Sequence, residues 1–294
     1  MQSQLKDLED KGLSVAAISY DTPETLAAFS KQRGIGFPLL SDAGSATIKR
    51  YGLLNPLAEE AFGPLKDDPT VKEEIRKYVS EVTPNRNMIG MAFPGTFLLD
   101  RKGRVTSRFF EDFYIERNTV SSLMVRLGKS ATPVAATRVS SAHLDLTTYP
   151  SDPSIAAGNR IALILDIAPA PGTHVYAPGA KGYRPISLTI APQANVRTLA
   201  PQYPASQNYF FKPLKERVPV YQKPFRLVQE IVLDGSLKAQ ATYRGKPNLT
   251  LTGTLEYQAC DDKECFNPVS VPLSWTLDLR PTIFQRPNAA GPGR

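Results

Sequence analysis

Apolar residues in the first 128 positions alternate between short runs bounded by turn residues and stretches at helical spacing, the pattern of an α/β domain. Gln4 to Lys11 reads as the end of a helix stopped at Gly12, before a strand from Ser14 to Tyr20. A second helix follows, capped by Asp21 or Thr22, with Pro23 in its first turn, Leu26, Ala27 and Phe29 on its apolar face, and Gly34 as its stop. Phe37 to Leu40 predicts a short strand, Ala43 to Tyr51 a helix ending at Gly52, and Asp68 to Val82 a charged amphipathic helix within an insertion. Ala92 to Asp100 and Arg104 to Phe110 predict a hairpin turning at Gly103, with a closing helix from Ile115 to Leu127.

The rhythm changes at Gly128 to Ala136, where small residues without a period mark a linker. Beyond it, short alternating runs separated by Pro and Gly predict strands at Ser141–Thr147, Arg160–Ile167, Ile186–Ile190, Phe225–Leu233, Leu249–Gln258 and Val269–Leu279. The expected organisation is an α/β domain over 1–128, a linker over 129–136, an all-β sandwich over 137–281 and a flexible tail over 282–294.

Composition narrows the function classes. Hydrophobic residues make up 41% and charged residues 21%, and no apolar stretch approaches a membrane span. The net charge of +7 is scattered along the chain, without the aromatic-interleaved basic stripe of a nucleic-acid binder. Two cysteines, Cys260 and Cys265, and two histidines far from them in sequence do not make a four-ligand zinc set. Disulfide chemistry is the better expectation, reversible or structural, in an oxidising compartment. No signal segment opens the chain, and no metal or cofactor is expected. His143, expected in a strand, and His174 lack a Ser or carboxylate constellation and read as structural. Asn248-Leu-Thr250 matches a glycosylation sequon, a pattern frequent by chance.

In residues 1–128 the strand before Asp21, the capped helix, Phe37-Pro-Leu-Leu-Ser-Asp42, the helix to Tyr51-Gly52 and Phe93-Pro-Gly-Thr-Phe-Leu-Leu-Asp100 resemble the redoxin group of the thioredoxin superfamily. That group includes peroxiredoxins of the alkyl hydroperoxide reductase type. The resemblance implies a thioredoxin-like domain, a cis Phe93–Pro94 bond and a docking edge for substrate at Phe93 and Pro94. Redoxins place a catalytic cysteine at the start of their first helix, where the helix dipole favours a thiolate. No cysteine here precedes Cys260, and the expectation is a domain incomplete at its N-terminus, lacking the preceding strand and cysteine loop.

From about Thr137 to Pro281 the chain resembles the N-terminal periplasmic domain of the DsbD thiol:disulfide interchange protein. Three segments carry the likeness: Pro171-Gly-Thr-His-Val-Tyr-Ala-Pro178, Asn208-Tyr-Phe-Phe-Lys-Pro213 and Tyr257-Gln-Ala-Cys-Asp-Asp-Lys-Glu-Cys-Phe-Asn-Pro268. The resemblance implies an immunoglobulin-like sandwich whose Cys260 and Cys265 exchange electrons, shielded by an aromatic cap at Tyr209, Phe210 and Phe211; plain core aromatics are the equally weighted alternative. Physically, Leu255–Cys260 and the chain from Cys265 can form adjacent antiparallel strands that bring the sulfurs within disulfide reach. The enclosed loop is short, which weakens a purely structural role. Asp261, Asp262 and Glu264 disfavour a thiolate, partly opposed by Lys263, so exchange begins with attack by a partner's thiolate.

Together these expectations describe an extracytoplasmic thiol–disulfide oxidoreductase of peroxiredoxin-like, antioxidant ancestry. Its partners are thiol or disulfide proteins, with a membrane electron donor as a candidate, and no nucleic acid. The alternatives are a partner-binding module with a static disulfide on a redoxin scaffold, and a peroxiredoxin whose catalytic strand lies outside this sequence.

Overall fold

A computed structural model describes residues 1–79, 84–110, 116–129, 135–211 and 215–282. The chain divides into two compact units, of which the described parts are Met1–Arg117 and Asn118–Thr282. The first unit is mixed α/β. Its helices are α1 (Leu5–Asp10), α2 (Pro23–Arg33), α3 (Ala46–Arg50), α4 (Leu57–Phe62) and α5 (Pro69–Val79). Strands β1 (Ala17–Ser19) and β2 (Leu39–Ser41) pair in parallel across α2, and β3 (Gly95–Leu99) and β4 (Val105–Phe110) form the expected hairpin.

Local chemistry sets these boundaries. The Thr22 hydroxyl, not Asp21, caps α2 by accepting from Thr25 N, and Gly34 closes it at φ 59°, a left-handed conformation glycine adopts without steric cost. The strands are shorter than their apolar runs. β2 begins only after Pro38, which has no N–H to donate, and β1 is correspondingly confined to three residues. α3 starts later than Ala43 because the Asp42 carboxylate accepts from Thr47 N and Ile48 N, bonds that also hold its pKa below the usual carboxylate range. Residues 80–82 of the expected helix to Val82 lie outside the described residues.

The Phe93–Pro94 bond is trans, as no described peptide bond is cis, contrary to the expected cis geometry. A trans X–Pro bond is the intrinsically favoured isomer, and Pro94 simply precedes β3, where its missing N–H costs no ladder bond.

After the two-residue strand β5 (Arg117–Asn118) comes α6 (Val120–Arg126), then a β-rich unit with one further helix, α7 (Leu237–Tyr243). Its strands are β6 (Thr137–Ser141), β7 (Leu144–Pro150), β8 (Ser154–Ile155), β9 (Asn159–Pro169), β10 (His174–Tyr176), β11 (Ser187–Ile190) and β12 (Val196–Thr198). They continue with β13 (Gln207–Phe211), β14 (Glu216–Tyr221), β15 (Phe225–Leu233), β16 (Asn248–Tyr257), β17 (Ala259–Cys260) and β18 (Val269–Leu279). An antiparallel sheet in the order β12-β15-β9-β7-β6 faces a second sheet, β11-β16-β18-β8. Leu163, Leu165, Leu227 and Ile231 from one meet Leu251, Leu255, Leu273 and Trp275 from the other, forming a two-layer β-sandwich. Each fully buried side chain of this kind contributes about 1.5–3 kcal/mol. Gly253 belongs here for a steric reason, since a Cβ would sit 2.8 Å from the Thr189 carbonyl on the neighbouring strand.

Three differences from the sequence expectation matter. The run Ser141–Thr147 is not one strand: Ser141 ends β6, Ala142 and His143 make a turn with His143 at φ 64°, and Leu144–Thr147 open β7. The runs at β10, β13 and β14 carry no clean alternation, yet they build a third antiparallel sheet, β13-β14-β10-β17. The helix expected to close the first domain begins at Val120 and packs Val125 against Tyr149, Ala162, Ile164 and Val228 of the second unit. The units accordingly divide ahead of the expected linker, whose residues 130–134 lie, with tail residues 283–294, outside the described residues.

Thr119 anchors α6: its hydroxyl accepts from Ser122 N and donates to Asp152 Oδ2 at 2.5 Å. Thr119→Ala removes both bonds and lowers the second unit's stability by about 1–2 kcal/mol, whereas Thr119→Ser retains most of it. Urea unfolding followed by the fluorescence of Trp275, the only tryptophan, measures this without interference from the first unit.

Candidate functional site

The third sheet carries the two cysteines. β10 pairs with β17 so that His174 faces Cys260 and Val175 faces Ala259, and after a tight turn Cys265 pairs back onto Cys260. Phe266 N donates to Ala259 O and Asp261 N to Glu264 O, flanking the cysteines and making them a non-hydrogen-bonded antiparallel pair. That is the pair type in which opposite residues approach most closely, and the Cα–Cα separation is 4.1 Å. The sulfurs are joined in a disulfide. Asp261 organises the turn: its carboxylate accepts from Lys263 N and Glu264 N, bonds that lower its pKa.

The two sulfurs have unequal surroundings. Cys260 is fully buried, packed with Tyr176, Val218 and Val220, whereas Cys265 is exposed. The Tyr176 hydroxyl lies 3.1 Å from Cys260 Sγ and 3.4 Å from Cys265 Sγ. Burial pushes the Tyr176 phenol far above its usual range, so it stays protonated as a donor. Its ring stacks on Tyr183, with centroids 4.0 Å apart, and Tyr183 donates to Glu216 Oε1.

Tyr209 is the one expected cap residue that the structure brings to the cysteine loop, where its hydroxyl donates to Asp262 Oδ1 at 2.5 Å. Its ring lies 4.6 Å from that of His174, which is 2% exposed and meets Tyr176 edge-on. Burial lowers the His174 pKa, against the pull of Asp262 and Asp261, in keeping with a structural histidine. Phe210 alternates to the other face of β13, exposed beneath the guanidinium of Arg217, and Phe211 is half-buried opposite Glu216. His143 stacks on Phe266, beside Cys265, at 3.7 Å. Phe93 and Pro94 belong to the first unit, both half-buried, with Phe93 N donating to Leu53 O. Among the described residues no cluster of His, Cys, Asp and Glu suits a metal, and no helix is long and apolar enough to cross a membrane.

Sequence reasoning did not assign roles to Tyr176, Tyr183 or Glu216. The spacing of His174 and Tyr176 puts both on one face of a strand, a signal that could have marked Tyr176 once Cys260 was placed opposite His174. Nothing local marked Tyr183 or Glu216.

Residues 147–271 match the family model described as "Thiol:disulfide interchange protein DsbD, N-terminal", and residues 1–108 match that of the AhpC/TSA family. The stretch similar to the AhpC/TSA family thus precedes the one similar to DsbD N-terminal domains. The cysteine pair and its tyrosines lie within residues 147–271, the second of these stretches. No curated protein matches the chain. Among solved structures, the N-terminal periplasmic domain of ScsB from Proteus mirabilis is similar at 16% identity and a TM-score of 0.34, over 51% of this chain and 52% of that one. This chain thus spans about half of that neighbour's length. The GAE domain of GGA2p from Saccharomyces cerevisiae is similar at 10% identity and a TM-score of 0.27, over 51% of this chain and 100% of that one.

The hydrogen bond to Asp262 raises the Tyr209 phenol to about 12, because the carboxylate accepts from the neutral phenol and repels the phenolate. A folded-state pKa above the unfolded value stabilises the fold below pH ~10, and that contribution disappears as pH rises through ~12. Asp262→Ala returns the Tyr209 titration toward ~10, read by NMR of the tyrosine ring carbons, while a titration still near 12 would mean burial alone sets it.

Proposed function

We propose that this protein is an extracytoplasmic thiol–disulfide oxidoreductase in which Cys260 and Cys265 cycle between disulfide and dithiol. The observation carrying this reading is the asymmetry of the pair, one sulfur exposed and its partner fully buried under Tyr176. Exchange requires a thiolate to reach one sulfur in line with the S–S bond, and only Cys265 offers that approach. Cys260 is then the leaving sulfur, and the Tyr176 hydroxyl beside it stabilises the charge it acquires.

The two family matches support the same reaction class, since both descriptions belong to thiol and disulfide chemistry. We assign Tyr209 as the shield over the cysteine loop, held by Asp262 until a partner displaces it, with Phe210 and Phe211 continuing that edge. Phe93 and Pro94 form the docking edge of the AhpC/TSA region, and the β-sandwich is of immunoglobulin-like type. The partners are proteins presenting a thiolate or a disulfide, and the oxidising compartment is one where a disulfide persists.

Two measurements test this. Equilibration in defined thiol buffers gives a potential between about −120 and −270 mV for an exchange centre, whereas a value below about −300 mV marks a static disulfide and a partner-binding role. In single-cysteine variants, Cys260→Ser leaves the exposed sulfur as a thiol, which attacks a model protein disulfide, releases one of its sulfurs as a thiol and accumulates the mixed disulfide with the other. Cys265→Ser traps little, and equal trapping by both variants would overturn the assignment of Cys265 as the point of attack.

A further inference from the structure

Resting on the exchange reading, we propose that Glu216, through Tyr183 and Tyr176, is the base that removes the proton from the Cys260 thiol when the buried cysteine resolves a mixed disulfide. The need for such a base follows from the asymmetry of the pair. In the reduced protein Cys265 attacks a partner disulfide, one partner sulfur leaves as a thiol, and the other stays bonded to Cys265. Release of the partner then requires Cys260 to attack Cys265. Cys260 is fully buried, and burial disfavours the thiolate that must do this. Water does not reach this sulfur directly.

The tyrosines supply the connection. The Tyr176 oxygen is 3.1 Å from Cys260 Sγ, within range to accept from a thiol S–H. The Tyr176 ring stacks on that of Tyr183, with centroids 4.0 Å apart, and Tyr183 donates to the Glu216 carboxylate. With the Tyr176 hydroxyl turned from the sulfur toward the stacked Tyr183, every donor in the series points from sulfur to carboxylate, and one concerted shift along it moves a proton from Cys260 to Glu216. The far end is reachable, because Glu216 opens β14 and is only half-buried, allowing it to return its proton to solvent. The other titratable groups around the pair are less suited. Asp261 is engaged by the turn amides, Asp262 by Tyr209, and His174 meets Tyr176 through its ring edge.

The step balances as follows. The S–H proton of Cys260 passes to Glu216, the sulfur's electron pair forms the bond to Cys265 Sγ, and the bond from Cys265 to the partner sulfur breaks. The partner departs as a thiolate. Over the full cycle Cys260 and Cys265 are oxidised to the disulfide, and the partner disulfide is reduced to two thiols.

The test uses the full reduced chain with oxidised glutathione as the disulfide probe, acid-quenched at intervals, with the glutathione adduct on Cys265 followed by intact mass at a series of pH values. Glu216→Gln slows loss of the adduct by about tenfold or more at neutral pH while its formation keeps the wild-type rate. Its rate of loss climbs with pH into the alkaline range, where the wild type has already levelled off. Tyr183→Phe, which keeps the stacked ring, behaves alike, and the double variant is no slower than the slower single one because both interrupt one path. Wild-type rates and an unchanged pH profile in both variants overturn the relay while leaving exchange intact. Failure of the reduced wild type to form any adduct overturns the exchange reading and the relay with it.

Discussion

The register between β10 and β17 is the constraint on which the site depends. By setting His174 opposite Cys260, it places the buried sulfur on the sheet face that also carries Tyr176 two residues along β10. The next pairing, Cys260 with Cys265, then needs only a tight turn to bring the second sulfur within bonding distance and leave it at the surface. A one-residue slip would turn Cys260 to the opposite face and separate it from Tyr176. The sandwich secures this register from beside it, because β16 runs into β17 after ten consecutive pairings with β18 ending at Tyr257 opposite Val269.

That arrangement sets polar groups against a buried sulfur, and each has been given a partner. Tyr176, Tyr183 and Glu216 connect in series, and Tyr209 and Asp262 close over the loop. Buried hydroxyls cost free energy unless hydrogen-bonded, so the network satisfies groups that folding would otherwise strand. The same logic governs the opposite face of the large sheet, where Glu230, 3% exposed, sits between Arg160 and Arg126. There the charges hold elements together and meet no reactive atom.

The AhpC/TSA region was largely legible because its signals are local. Caps, glycine stops and the hairpin turn act over three or four residues, and Thr22, Gly34, Gly52 and Gly103 each serve where expected. What failed there depended on longer range. The short extent of β1 is set by its partner strand rather than by its own residues, and at Phe93–Pro94 the intrinsic trans preference holds where the motif implied cis. In the DsbD N-terminal region β16 and β18 were readable by their clean alternation, and β9 and β15 by nearly continuous apolar runs buried on both faces. β10, β13 and β14 were missed, being interrupted by Pro, Gly and polar aromatics. His143 was misplaced into a strand because the alternating Leu144 and Leu146 begin directly after the turn at Ala142–His143.

The amino-acid order alone determined the two-region organisation, the pairing of Cys260 with Cys265 and the identity of the acidic turn between them, since all of these rest on residues close in sequence. Only the tertiary structure decided which sulfur is exposed, that Tyr209 rather than Phe210 faces the loop, and that Tyr183 and Glu216 extend a path from Tyr176. Those facts depend on which strands become neighbours and on which face each side chain emerges. Such choices follow from burying the sandwich core as a whole, a condition that no short stretch of sequence contains.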